Sequence, residues 1–188
     1  MQLTQNPIEK FVIVGGGNVG LFVAQRLETG ARRVRAKMIE SNRRNAEAAA
    51  EVLERTIVLH GDGMDAALLL EAGVDRADAA LCVTDDDKVN MLTAVRAKAA
   101  GCPMVIALVN DPTLVSLMDP LGIDAYINPR ATTVSSILRH IRHGRVKSVY
   151  SIGDAEAEVI EAEVLSTSSL AGTKVRDMEL PEGVLIGA

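Results

Sequence analysis

Val14-Gly15-Gly16-Gly17-Asn18-Val19-Gly20 joins a short apolar run, residues 11–14, to an amphipathic segment that starts near Asn18. Together these predict a strand, a glycine turn and a helix. Gly15, Gly17 and Gly20 keep the G-x-G-x-x-G spacing: the first permits the tight turn, the second lets the backbone approach a pyrophosphate, and the third lets helix and strand pack closely. An anion would sit on the helix N-terminus, where N–H groups without intrahelical acceptors point outward. Glycine turns are common in α/β folds, and a purely structural turn is the alternative. Context favours a nucleotide, because Glu40 closes a second run, Lys37-Met38-Ile39, twenty positions beyond Gly20. An acid there is placed to accept hydrogen bonds from ribose hydroxyls.

The rest of the chain supplies the frame such a turn needs. Residues 33–39 alternate, with Val34, Ala36 and Met38 on one face and Arg33, Arg35 and Lys37 on the other, which predicts a strand with one face partly wet. The pattern then predicts a helix over 43–53, strands at 56–59 and 79–83, and a short helix over 64–72. A helix over 87–100 ended by Gly101, a strand at 104–109, a short helix over 112–121 and an apolar piece at 124–127 continue it. Strands alternating with helices through short loops imply an α/β, Rossmann-like doubly wound parallel sheet, with the first strand central. Val134, Ile137, Leu138 and Ile141 then recur at i, i+3, i+4 and i+7. That stripe packs either on its own sheet or, as a crossover helix, on a second subunit. Composition changes near Lys147. Beyond it lie an acidic and apolar alternation at 157–165, a polar loop at 166–172, a helical piece at 174–178 and an apolar end, Val184-Leu185-Ile186. The expected organisation is a linker over 1–9, a dinucleotide-binding domain over 10–147 and a truncated α+β lobe over 148–188.

Composition limits the chemistry. The 188 residues are 48% apolar and 24% charged, with 2% aromatic and no tryptophan, so stacking bases on aromatic side chains is not available. A net charge of −5 argues against nucleic acid, although Arg139, His140, Arg142, His143, Arg145 and Lys147 make one local basic cluster that also suits a solvated helix end. Cys82 and Cys102 sit in or beside apolar runs and predict small core residues of a reducing compartment. No run approaches the roughly eighteen apolar residues needed to span a bilayer, and the start lacks a signal peptide's apolar region, so the expected location is the cytoplasm.

Three further positions fall on the strand ends where open α/β sheets bind ligands. Asp62, in His60-Gly61-Asp62-Gly63, is either an acceptor for an adenine amino group or the N-cap of the helix from Met64. Thr84, ahead of Asp85-Asp86-Asp87, is placed to offer a hydroxyl or N–H to a phosphate. The three carboxylates suit a helix N-terminus better than a metal, since no second ligand cluster accompanies them. Arg43 and Arg44 lie near Glu40, which itself repels a 2′-phosphate, so NAD(H) or an adenine nucleotide is expected rather than NADP. No nucleophile is paired with a base, and the residues after Lys147 are too few to hold a hydride acceptor against nicotinamide.

On Gly15–Gly20 (GGGNVG), Ile39-Glu40, His60-Gly61-Asp62, VTDDDKVN at 83–90 and INPRATTVSSILRHIR at 127–142, the chain resembles the nucleotide-binding RCK (or KTN) regulatory domains of TrkA type. The likeness is strongest to the C-terminal half of Trk potassium uptake subunits. It implies a ligand-sensing regulator rather than an enzyme. NAD(H), or ATP/ADP, would meet Gly15, Gly16, Gly17, Asn18, Val19, Gly20, Glu40, Asp62, Thr84 and Asp85, with no metal. The resemblance further implies homo-oligomer pairing through the helix over 130–143. It also implies a potassium-translocating membrane subunit as partner, with this chain peripheral on the inner face of the cell membrane. One departure stands out: Ala107-Leu108-Val109-Asn110 occupies the place where many relatives carry an arginine near the phosphates. The rival readings are an NAD-dependent oxidoreductase fragment and a structural RCK module that binds nothing.

Overall fold

In the computed structural model, the alternation becomes a six-stranded sheet. Its strands are β1 (Lys10–Val14), β2 (Arg35–Glu40), β3 (Ile57–His60), β4 (Ala79–Cys82), β5 (Met104–Leu108) and β6 (Ala125–Ile127). The order is β3-β2-β1-β4-β5-β6 and every pair is parallel. β1 is central as expected, so the strand order reverses between β1 and β4, and the crevice outside their C-terminal ends is the place for a ligand. The structure describes residues 8–30, 33–141, 146–152, 157–164, 166–168 and 171–178. The amino-terminal residues 1–7 and the apolar end at 184–186 lie outside them, as do Arg142, His143 and Arg145 of the basic cluster.

Helices α1 (Asn18–Gly30), α2 (Arg43–Val52), α3 (Ala66–Ala72) and α4 (Asp87–Ala99) connect the strands. One core layer gathers Ile13, Met38, Ala24 and Ala49; the other gathers Val12, Val14, Leu69, Met91, Ala94 and Val105. Both faces of β1 are therefore covered, and three consecutive residues, Val12 to Val14, are all buried. Burying Ile13 and Met38 completely contributes about 1.5–3 kcal/mol each. β2 departs from the expected half-wet strand: Arg35 is exposed and Lys37 half-buried, but Met38, Ile39 and Glu40 are all buried. Only the start of the strand is wet, because helices cover both sheet faces further along.

Side chains close the helix ends. Asn42 caps α2 through the N–H groups of Arg44 and Asn45, Asp65 caps α3, and Asp86 caps α4. The Glu28 carboxylate, near the end of α1, accepts from the N–H groups of Glu54, Arg55 and Thr56 and from the Thr56 hydroxyl. Burial pushes this acid up, but those bonds more than offset it and hold it below the ordinary carboxylate value. Cys82 and Cys102 are both buried and unbridged.

The helix expected over 112–121 forms only as a 3-10 helix over Pro112–Leu117. Pro120 removes an N–H and disfavours helical geometry at Asp119, so the segment cannot continue as an α-helix. Helix α5 follows at Pro129–Ile141. The chain divides into two compact units, Met1–Thr132 and Thr133–Ala188. In the second unit, β7 (Val146–Ile152) pairs antiparallel with β8 (Ala157–Ala162), setting Tyr150 opposite Val159. The sequence reading missed β7, although Val146, Tyr150 and Ile152 mark it as β-prone. A 3-10 turn at Val175–Asp177 replaces the expected helical piece at 174–178.

Candidate nucleotide-binding cleft

The C-terminal ends of β1 to β4 open on one cleft of about 580 Å³, whose walls include Gly15, Gly17, Glu40, Asp62, Thr84 and Asp85. Six of the residues singled out from sequence thus meet in one place. The glycine turn explains itself by close approach. Gly15 stands at φ +108°, a left-handed conformation that strains any L side chain, and an added Cβ would lie 2.8 Å from the backbone nitrogen of Thr84. A Cβ on Gly20 would overlap the carbonyl oxygen of Gly15. Gly17 is different, since a Cβ there meets nothing within 4 Å. The protein's own packing does not require glycine at Gly17, where a Cβ would enter open space beside the cleft. Asn18 and Val19 are exposed and begin α1, with the first helical bond running from Leu21 N–H to the Gly17 carbonyl at 2.9 Å.

Glu40 is only 7% exposed, yet it lines the cleft. One carboxylate oxygen accepts the Gly16 N–H at 2.5 Å and the other accepts the Asn42 N–H at 2.6 Å, tying the glycine turn to the start of α2. A carboxylate offers about four acceptor sites, so two remain for further donors such as ribose hydroxyls. Asp62 accepts the Met64 N–H at 2.8 Å in a local turn. It is not the cap of the following helix, which starts at Ala66 and is capped by Asp65.

Thr84 is less available than expected. Its N–H and its hydroxyl both donate to Oδ1 of Asn90, at 2.8 and 2.7 Å. Asn90, on α4, is fully buried, and its Nδ2 donates to the carbonyls of Thr84 at 3.0 Å and Leu108 at 2.9 Å. This residue organises the loop after β4, and the sequence reading gave it no role. Its signal was there: a polar amide sharing a helix face with Ala94 and Ala97 asks for buried partners. The carboxylates beside it divide their work. Asp86 caps α4 through Lys88 and Val89, while Asp87 accepts from the Asn110 N–H at 2.8 Å, its Nδ2 at 3.0 Å and the Asp111 N–H at 2.8 Å. Among the described residues, no group of three or more His, Cys, Asp or Glu side chains is arranged to hold a metal ion. Arg43 pairs with Glu47 at 2.8 Å on the α2 surface, and a ring nitrogen of His60 lies 3.2 Å from the Ser41 carbonyl.

The TrkA-N domain family model matches residues 11–129. The chain belongs to the TrkA-N family. It is 47% identical over 182 residues to a Trk system potassium uptake protein TrkA of Azorhizobium caulinodans, covering 97% of this chain and 40% of that one. It is 37% identical over 191 residues to the TrkA of Vibrio alginolyticus, covering 100% of this chain and 41% of that protein. The chain thus spans about two fifths of the curated relatives it matches, which are named for potassium uptake and not for an enzymatic reaction. Among solved structures, the TrkA-N domain of inner membrane protein ybaL from Escherichia coli shares the fold with TM-score 0.64 at 14% identity, covering 73% of this chain and 100% of that one. The GsuK channel bound to NAD matches with TM-score 0.60 at 20% identity, covering 80% of this chain and 26% of the channel chain. No helix among the described residues is long and apolar enough to cross a membrane.

Proposed function

We propose that this TrkA-N chain is a non-enzymatic, nucleotide-sensing regulatory module of a Trk-type potassium uptake system, taking NAD(H), or ATP/ADP, in the cleft at the ends of β1 to β4. The observation that carries the reading is the meeting of Gly15, Gly17, Glu40, Asp62, Thr84 and Asp85 on one cleft, where a Cβ at Gly17 would enter open space. Glu40, held from two sides beside it, offers its remaining acceptor sites to a ribose. The GsuK channel bound to NAD is a property of that protein, and it supports the same ligand class here. The module runs over 10–147 and opens a C-terminal lobe at 148–188. It acts at the inner face of the membrane on a potassium-translocating subunit, and copies pair through α5, where Val134 and Ile137 are 54% and 52% exposed.

A nucleotide gates such an assembly only to the extent that it binds one conformation better than the other. The test is calorimetric titration with NADH, NAD, NADPH and ATP of the wild-type chain and of Gly17→Ala. Selective binding that Gly17→Ala abolishes without changing the melting temperature is the expected result. No binding by any of the four refutes the sensor reading.

A further inference from the structure

Four carboxylates, those of Glu40, Asp62, Asp85 and Asp86, line the cleft, and among the described residues no lysine or arginine does. Two cations on the elements around it are engaged elsewhere. Arg43 pairs with Glu47, and Arg96 donates to the Met64 carbonyl at 2.7 Å. Lys88 and Arg130 share an adjoining depression with Asp85, Asp86, Asp87 and Asp111, so acids outnumber bases there too. The N-termini of α1 to α4 lie at this edge, each directly after its strand. Those of α1 and α2 carry no acid in their first turns and each supplies about half an elementary positive charge. That of α4 is closed by its own Asp86 and Asp87.

We infer that the cleft selects its nucleotide by total charge, accepting the doubly esterified pyrophosphate of a dinucleotide and rejecting metal-free ATP. This rests on the nucleotide reading above and narrows it. Each phosphate of a dinucleotide carries a single charge, and the glycine turn with the α1 N-terminus is matched to that. The terminal phosphate of ATP adds close to two charges. A like-charge pair some 6 Å apart in water lowers affinity about threefold, so two added charges facing Asp85 and Asp86 lower it roughly a hundredfold at low ionic strength.

The experiment titrates the purified chain with NADH and with ATP in EDTA, at low and high salt, and repeats both with the double variant Asp85→Asn, Asp86→Asn. Asparagine retains the capping oxygen that α4 needs, so the variant removes charge and keeps the fold. NADH is expected to bind roughly a hundredfold more tightly than ATP at low salt, with the ratio shrinking as salt screens the carboxylates. The double variant should close the ratio by roughly a hundredfold, to near parity. Metal-free ATP binding as tightly as NADH, or a ratio that neither salt nor the variant changes, overturns selection by charge and leaves the nucleotide reading standing. Failure of both ligands to bind overturns the two together.

Discussion

Asn90→Ala is the substitution whose cost the structure specifies most fully. The side chain is completely buried and makes four hydrogen bonds, two to donors of Thr84 and one each to the carbonyls of Thr84 and Leu108. The Leu108 carbonyl is buried, and losing its donor costs about 1–3 kcal/mol. The Thr84 groups are part-buried at the cleft wall, so water recovers much of their loss and the net is about 0.5 kcal/mol for each. Alanine returns a few tenths of a kcal/mol as the better helix former. The sum is about 3 kcal/mol, a large share of the roughly 5–15 kcal/mol that holds a domain folded. For a chain of this length it lowers the melting temperature by roughly 6–12 °C, readable by thermal and urea unfolding followed by circular dichroism. NADH affinity should fall with it, because the loop carrying Thr84 loses its anchor. Asn90→Asp is the companion variant: it keeps the shape and the acceptor but loses both donated bonds and buries a charge, so it should cost at least as much. A loss below about 1 kcal/mol for Ala, or a neutral Asp, refutes this hydrogen-bond accounting.

Three other outcomes follow from the same geometry. Gly20→Ala should destabilise the chain by more than about 3 kcal/mol, since its methyl overlaps a backbone oxygen that cannot retreat, whereas Gly17→Ala should stay within about 1 kcal/mol of wild type by urea unfolding. Equal stabilities for the two variants contradict the packing described. Glu40→Gln should weaken NADH by about tenfold, because the neutral amide forfeits acceptor capacity toward ribose; unchanged affinity by calorimetry removes the ribose role. Burial pushes the Cys82 thiol up from 9.0 to about 12, so the folded state holds this proton more tightly than the unfolded chain. Its contribution to stability is complete below pH 9 and declines as pH climbs from there toward 12. Native protein at pH 8 should therefore resist alkylation at Cys82 until denaturant is added, and rapid modification of the native chain counts against the burial.

Most of the sheet was legible because its cues are local. Apolar runs of strand length, Gly15 at the turn and amphipathic stretches between them predict a parallel alternation, and right-handed crossovers then place the first strand centrally. The cleft residues were legible for the same reason: each stands one to three positions beyond a predicted strand. What escaped the reading depends on partners distant in sequence. Thr84 looks like a free donor until Asn90 is seen to take both its hydrogens. Asp87 looks like one more helix-opening acid until the chain after β5 returns to it, twenty-three positions later. Asp62 reads as a cap in sequence until α3 is seen to start at Ala66, where Asp65 caps it. The strand β7 was lost because Lys147 and Ser148 dilute its apolar residues, and its pairing with β8 is what holds it extended.

The polar side chains that sequence left unassigned form a connected path out of the cleft. Asn90 joins the Thr84 loop to the end of β5 through the Leu108 carbonyl. Asp87 joins the first turn of α4 to Asn110, directly beyond that strand. Asn128 donates to the Asn110 carbonyl at 3.4 Å, and its Oδ1 accepts the Ala131 N–H at 3.0 Å in the first turn of α5. Each link spans one strand, so a shift of the Thr84 loop has hydrogen-bonded contact with the start of the helix that leaves the sheet. Contact of this kind transmits nothing unless some element along it has two arrangements that the nucleotide weighs differently. The place for such an element is Thr84, because it is the one residue on the path that also lines the cleft. On the proposed function its N–H and hydroxyl serve either Asn90 or a phosphate, and a phosphate that took them would leave Asn90 Oδ1 without those donors. A tenfold preference for one arrangement is about 1.4 kcal/mol, the scale of the hydrogen bond exchanged.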